Sequence, residues 1–289
     1  MYYSDRMFDF HCHSNHSDGD LSPTELVRLA SRRSLKTISL TDHDVVSGIP
    51  AAIEAGRKFG VGIIPGVELS LGFMGGEIHL LGYNFDYTSP SFLKDLAQAQ
   101  DIRKTRNLEM IEKMRAAGID VSYDDILEIA GGGFPGRPHF AKFLIQRKIA
   151  RNVKDAFTRF IGNGKPYFVQ RNFLSLEEGI DMITEAGGIP VIAHPLSLMV
   201  SWSRLMEYLL AWKDMGVRGI EGYYSEHSPG KCQRLISAAE PYGFLITGGS
   251  DFHGKSKPKI ELGRTSGNRL LTEDMVESFL MEVSDSPII

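Results

Sequence analysis

Nearly continuous apolar runs recur along the chain: MFDF (7–10), TISLT (37–41), VGIIPGVELS (61–70), EIHLLGY (77–83), IPVIA (189–193), VRGIE (217–221) and FLITGG (244–249). Short runs of this kind, rich in β-branched and aromatic residues, predict strands buried on both faces, as in a parallel sheet. Helical patterns lie between most of them. Pro23 to Ser34 opens with Ser22, Pro23 and Glu25, and another helix opens with Ser175 and Glu178; both read as capping boxes. Alternating strands and helices predict an α/β barrel or an open doubly wound sheet, and seven strands favour a barrel of unusual count. From about Asp86 to Arg171 the rhythm breaks. Helices are predicted there over roughly 91–117, 123–130, 138–148 and 153–160, with glycine-rich joints at 131–133 and 162–164. The expected organisation is a barrel built from residues 1–85 and 172–289, with 86–171 inserted as a helical subdomain.

Composition changes this picture little. At 289 residues, 42% hydrophobic and 24% charged, the chain has an ordinary globular make-up. No apolar segment is long enough to span a membrane, and the N-terminus has no secretory pattern; two cysteines, Cys12 and Cys232, are too few for a disulfide framework. A cytoplasmic protein is expected, with no membrane partner. Charge is more informative. Residues 137 to 171 hold nine Lys or Arg and one acid, in a chain of net charge −4. A basic cap over an acidic body suggests an anionic substrate, although a solvated helix face has the same composition.

The candidate chemistry lies at strand ends. In FDFHCHSNHSDGD (8–20), His11 and His13 share one face of a strand, and Asp18 follows in the loop. Neutral imidazole and carboxylate together suit divalent ions. Cys12 faces the other way and reads as a small buried filler, while His16 reads as a neighbour of the site or a surface residue. His43 follows TISLT, Glu68 lies in PGVELS, His79 in EIHLLGY, His194 ends VIAHP, and Asp251 and His253 follow the last strand in GSDFH. Ligand-type residues from several strands meet at the C-terminal mouth of such a barrel.

The ordered pieces DFHCHSNHSDG, LTDHD, IPGVELS, IHLLGY, IAHP and GSDFH resemble the polymerase and histidinol phosphatase (PHP) family of metal-dependent phosphoesterases. The resemblance covers residues 7–85 and 172–255. It implies a distorted (β/α)7 barrel holding three divalent metal ions (Mn, Fe or Zn). It also implies their grouping: His11, His13, Glu68 and Asp251 at one ion, Glu68 with His79 and His194 at a second, and Asp18, His43 and His253 at a third. His43, Glu68, His194 and His253 would be the catalytic members. Ions of this kind lower the pKa of a bound water to about 7, so no serine or cysteine nucleophile is needed. The insert, with GRPHFAKFLI, is similar to the subgroup acting on 3′,5′-bisphosphate nucleotides and on the 5′ ends of short RNA.

On the substrate side, Pro138 suits the first position of a helix, which makes Arg137 and His139 candidate phosphate ligands beside a helix N-terminus. His227, after the sixth strand, is a candidate phosphate ligand or leaving-group acid. Tyr167, Phe168, Tyr223 and Tyr224 can stack on a base, although packing explains them equally well. A nucleotide or short RNA is the expected partner, and long duplex nucleic acid is not. Two rivals remain open: a small-metabolite phosphatase of the histidinol-phosphate type, and a non-catalytic metal-binding module.

Overall fold

The structure is a computed structural model and describes residues 6–74, 76–131, 133–170 and 173–285. The strands are β1 (Met7–Cys12), β2 (Leu35–Leu40), β3 (Gly62–Phe73), β4 (Gly76–Tyr83), β5 (Ile189–Ile192), β6 (Gly219–Tyr224), β7 (Leu245–Gly249) and β8 (Leu271–Thr272). The helices are α1 (Pro23–Arg32), α2 (Ile49–Phe59), α3 (Pro90–Ala116), α4 (Tyr123–Ile129), α5 (Arg137–Gln146), α6 (Val153–Ala156), α7 (Leu176–Glu185), α8 (Trp202–Asp214), α9 (Pro229–Ala239) and α10 (Glu277–Asp285). The capping boxes of Ser22 with Glu25 and Ser175 with Glu178 form as the sequence predicts.

All seven expected strands form, in one sheet of order β7-β6-β5-β4-β3-β2-β1-β8. Two expectations need correction. β4 runs antiparallel to both β3 and β5, because the short connection from Phe73 to Gly76 can only make a hairpin and not a crossover. An eighth strand, β8, is also present, pairing antiparallel with Met7 and Phe8 at the lower end of β1.

The sheet curls until β7 meets β1, and the seam closes at the upper end. Cys12 bridges Phe252, the Asp251 N–H donates to the His11 carbonyl (2.7 Å), and the His13 N–H donates to the Phe252 carbonyl (3.0 Å). Gly249 makes this approach possible, since a Cβ there would lie 2.5 Å from the His11 backbone nitrogen. Below the seam, Phe8, Phe10, Leu81, Tyr83 and Val191 pack with Phe279 of α10 in one apolar cluster. Ridges of α7 and α8 cover the outer face of β3 and β4 through Ile180, Ile183, Leu209 and Trp212.

Helices α3 to α6 have an apolar cluster of their own, with Met110, Met114, Ile126, Phe140, Phe143 and Leu144 buried in it. The first half of α3 packs instead with the barrel through Phe92, Leu96 and Ala99. A π-turn over Phe157–Ile161 ends α6. Among the described residues no helix is long and apolar enough to cross a membrane.

Candidate metal centre and its cavity

Glu68 stands at the middle of the barrel mouth, where the β3 backbone is gripped by the segment after β2. The Asp44 N–H donates to the Glu68 carbonyl and the Glu68 N–H to that of Asp42. Its carboxylate faces five imidazoles. Oε1 lies 2.8 Å from His79 Nδ1 and 3.1 Å from His194 Nε2, while Oε2 lies 3.2 Å from His11 Nε2, 3.2 Å from His13 Nε2 and 3.1 Å from His43 Nδ1. Burial pushes the Glu68 carboxyl up, but the imidazoles of His43, His11 and His79 outweigh it and hold it well below the usual range.

Asp251 enters from the seam. Its Oδ1 is 3.2 Å from His13 Nε2 and 3.3 Å from His253 Nδ1, and its Oδ2 takes the Tyr224 hydroxyl (2.8 Å) and the Lys257 ammonium (2.5 Å). Asp18 Oδ1 meets His253 Nε2 at 3.1 Å. All nine ligand-type residues named from the sequence therefore converge. Donor atoms of His13, Asp18, His43 and His253 gather within 4.8 Å of one another, as do those of His11, His13 and Glu68, and those of His43, Glu68 and His79.

This donor set fits divalent ions. His11 Nε2, both nitrogens of His13, His43 Nδ1 and Glu68 Oε2 are buried without a hydrogen bond. Leaving such atoms unsatisfied costs on the order of 1–3 kcal/mol each, so their convergence calls for cations.

Several supporting residues escaped the sequence reading. Glu221, fully buried in β6, takes the His11 Nδ1–H on one oxygen (2.9 Å) and the His194 backbone N–H on the other (2.8 Å). The first bond turns the His11 Nε2 lone pair toward the centre. The second steadies His194, whose φ of 30° is left-handed. Asp42 accepts from the Ser14 N–H and from the hydroxyls of Ser14 and Ser17, folding the loop that carries His13 and Asp18. Asp9, whose carboxyl burial raises to about 6, ties β1 to Ser250 and Gly263. The only signal of these acids in the sequence is a lone carboxylate in an apolar strand or beside a ligand.

Beside the cluster lies a cavity of about 290 Å³. Asp18, His43, His79 and His253 line it together with Glu77 and with Arg103, Arg106, Arg137, Lys142 and Lys257. Arg103 is fixed by Asp44 and Ser70, Lys142 by Asp20 at 3.1 Å, and Arg137 by Glu77 at 2.7 Å. The cations are thus held in place before any ligand arrives.

Arg137 lines this cavity, but His139 and His227 do not. Helix α5 begins at Arg137, which moves Pro138 to its second position and puts the His139 side chain on the cap, where Nδ1 accepts the Gly136 N–H (2.9 Å). Burial lowers His139 to about 4, so it stays neutral. His227 packs on Tyr224 and bonds Ser197 (3.3 Å), and burial lowers it too, to about 4. Tyr224 is occupied with Asp251, and Tyr167 stacks on Phe160. Nor does the basic segment converge on the site. Of its nine cations, Arg137 and Lys142 line the cavity, Arg147 pairs with Asp125, Arg151 and Arg159 pair with Asp155, and Arg171 lies outside the described residues.

The model of the PHP domain matches residues 9–167, more than half of the chain. The protein is a member of the PHP family. Among its relatives, a 5′-3′ exoribonuclease of Haemophilus influenzae is 36% identical over 248 residues, covering 86% of this chain and 90% of that one. A 3′,5′-nucleoside bisphosphate phosphatase of Chromobacterium violaceum is 30% identical over 258 residues, covering 89% and 90%. A solved structure from Bifidobacterium adolescentis, described as a metal-dependent phosphoesterase, superposes with a TM-score of 0.85 at 27% identity, covering 98% of this PHP chain and 97% of that one. This PHP protein is accordingly a hydrolase, a metal-dependent phosphoesterase that uses divalent ions.

Proposed function

We propose that the enzyme hydrolyses a phosphate ester of a nucleotide that carries a second phosphate, or of the 5′-terminal nucleotide of a short single-stranded RNA. The carrying observation is one cavity lined both by the metal-type cluster and by cations that neighbouring carboxylates hold in place. A substrate with a second phosphate can use the guanidinium and ammonium donors that the pairing carboxylates leave over, and a small amino-alcohol phosphate brings no second anion to them. The names of the two relatives support the same class.

Three ions (Mn, Fe or Zn) would be held by His11, His13, Glu68 and Asp251, by Glu68, His79 and His194, and by Asp18, His43 and His253. When bound they would supply an activated water and the charge that stabilises the transition state. The chain's own residues do the rest. Arg137 offers its remaining guanidinium donors to the distal phosphate, with Arg103 and Arg106 beside it. Lys257 and Tyr224 hold one oxygen of Asp251 so that the other faces the centre, and Glu221 sets the ring of His11. Residues 86–171 act as a substrate cap, contributing Arg103, Arg106, Arg137 and Lys142 to the wall. Two free, buried cysteines agree with a cytoplasmic setting.

The test is a substrate panel with Mn²⁺ and then with chelator: 3′,5′-bisphosphate nucleotides, a 5′-phosphorylated RNA oligonucleotide and histidinol phosphate. Chelator-sensitive turnover of nucleotide or RNA is expected. Turnover of histidinol phosphate alone would replace this reading with the metabolic phosphatase, and no turnover at all would favour the binding module.

A further inference from the structure

Glu68 and His79 stand on the paired strands β3 and β4, and Glu221 of β6 fixes His11 and His194. Asp18, His43 and His253 lie instead on the loops that follow β1, β2 and β7. The helical insert grips these loops. Beside Asp18, the Phe134 N–H donates to the His16 carbonyl (2.9 Å), and Lys142 pairs with Asp20 (3.1 Å). The other oxygen of Asp20 accepts the Ser256 N–H (2.8 Å), which ties in the loop of His253. Gly133 lets the backbones come this close, since a Cβ there would lie 2.2 Å from the Asn15 carbonyl oxygen.

At His43 the grip runs through Asp44, a fully buried residue with a left-handed φ of 51°. A residue other than glycine keeps that conformation only where its surroundings hold it. Asp44 Oδ1 accepts the Ser70 N–H (2.8 Å), and Oδ2 accepts Arg103 Nε (3.0 Å) and Nη2. Arg103 Nη2 also donates to Ser70 Oγ (2.8 Å), and Gln100 Nε2 donates to the Asp44 carbonyl (2.9 Å). Gln100 and Arg103 both belong to α3, so one turn of an insert helix holds the residue after His43 by side chain and backbone alike.

We infer that the insert is a structural part of the metal centre, with Arg103 as a positioning residue that sets His43 through Asp44. It assembles the ion site of Asp18, His43 and His253, while the barrel itself holds the ligands of the other two ions. The inference rests on the metal grouping proposed above and is independent of the substrate. The planar guanidinium meets Asp44 and Ser70 at once, which the point charge of a lysine cannot copy. Arg103 also lines the cavity, so by charge alone its loss would strengthen the binding of metal cations. Positioning predicts the opposite sign.

The full-length protein, stripped with chelator, is titrated with Mn²⁺ in a calorimeter without substrate. His43→Ala, which removes a ligand outright, identifies the class of ion concerned. In Arg103→Met that class should bind about 10- to 100-fold more weakly than in wild type, while the other ions keep their affinity. Arg103→Lys should fall between the two, having the charge without the fork. Gly133→Ala changes no charge and does not line the cavity; its methyl should weaken the same ion by displacing the Asn15 loop. Wild-type or tighter binding in Arg103→Met and Gly133→Ala, with native circular dichroism, overturns the inference, as does an equal loss for every ion. If Arg103→Met does not fold, Arg103→Lys and Gly133→Ala decide on the same terms. A wild-type protein that binds no Mn²⁺ removes the metal centre, and the inference with it.

Discussion

Glu221 binds two ligand-type residues at once and is closed off from solvent. A glutamine there accepts one of its two hydrogen bonds, but its amide nitrogen then opposes a second N–H donor. Glu221→Gln is therefore expected to lose bound metal and to lower kcat/KM by about 10- to 100-fold with the fold retained. Metal content by elemental analysis, alongside circular dichroism, checks this. His139 carries a prediction of a different kind. Its folded pKa of about 4 lies below the ordinary 6.5, with Asp18, Lys142 and Arg103 as its charged neighbours. The unfolded chain thus binds the extra proton, and stability is complete above about pH 6.5 and falls as the pH drops toward 4. Glutamine at this position can keep the cap on Gly136 without titrating. Between pH 7.5 and 5, His139→Gln should lose about 2 kcal/mol less stability than wild type, read from urea midpoints.

At the scale of elements, the seam between β1 and β7 is the most demanding contact. In Gly249→Ala the new methyl meets the His11 backbone, which cannot yield. A loss of about 3 kcal/mol and a displaced His11 are expected, whereas Gly230→Ala, in helix α9 with open space around it, should not lower the thermal midpoint and should raise it slightly. The seven strands were legible because each is an apolar run between turn residues, and the nine ligand-type residues because they lie within or just past those runs, Glu68 and His79 inside β3 and β4. The direction of β4 was not, since apolar runs look alike in either sense, and a two-residue β8 lies below any periodicity. Glu221, Asp9 and Asp42 were hidden for another reason: what marks them is a partner distant in the chain, such as Ser250 for Asp9. His139 and His227 show the converse, being chemically suitable residues whose packing gives them structural work.

For the whole molecule, the clustered imidazoles and carboxylates make the native state a receptor for cations that the unfolded chain is not. The thermal midpoint should rise with Mn²⁺ concentration and fall in chelator, following the logarithm of free ion over its dissociation constant. A midpoint insensitive to both would contradict the metal centre whatever the activity. The seam has a consequence for how the protein is made. His11 and His13 leave the ribosome well before Asp251 and His253, and the strands bearing them must join before the centre exists. Metal loading therefore waits until the chain has emerged through His253: a nascent chain short of that residue has unmatched ligands and no phosphoesterase activity.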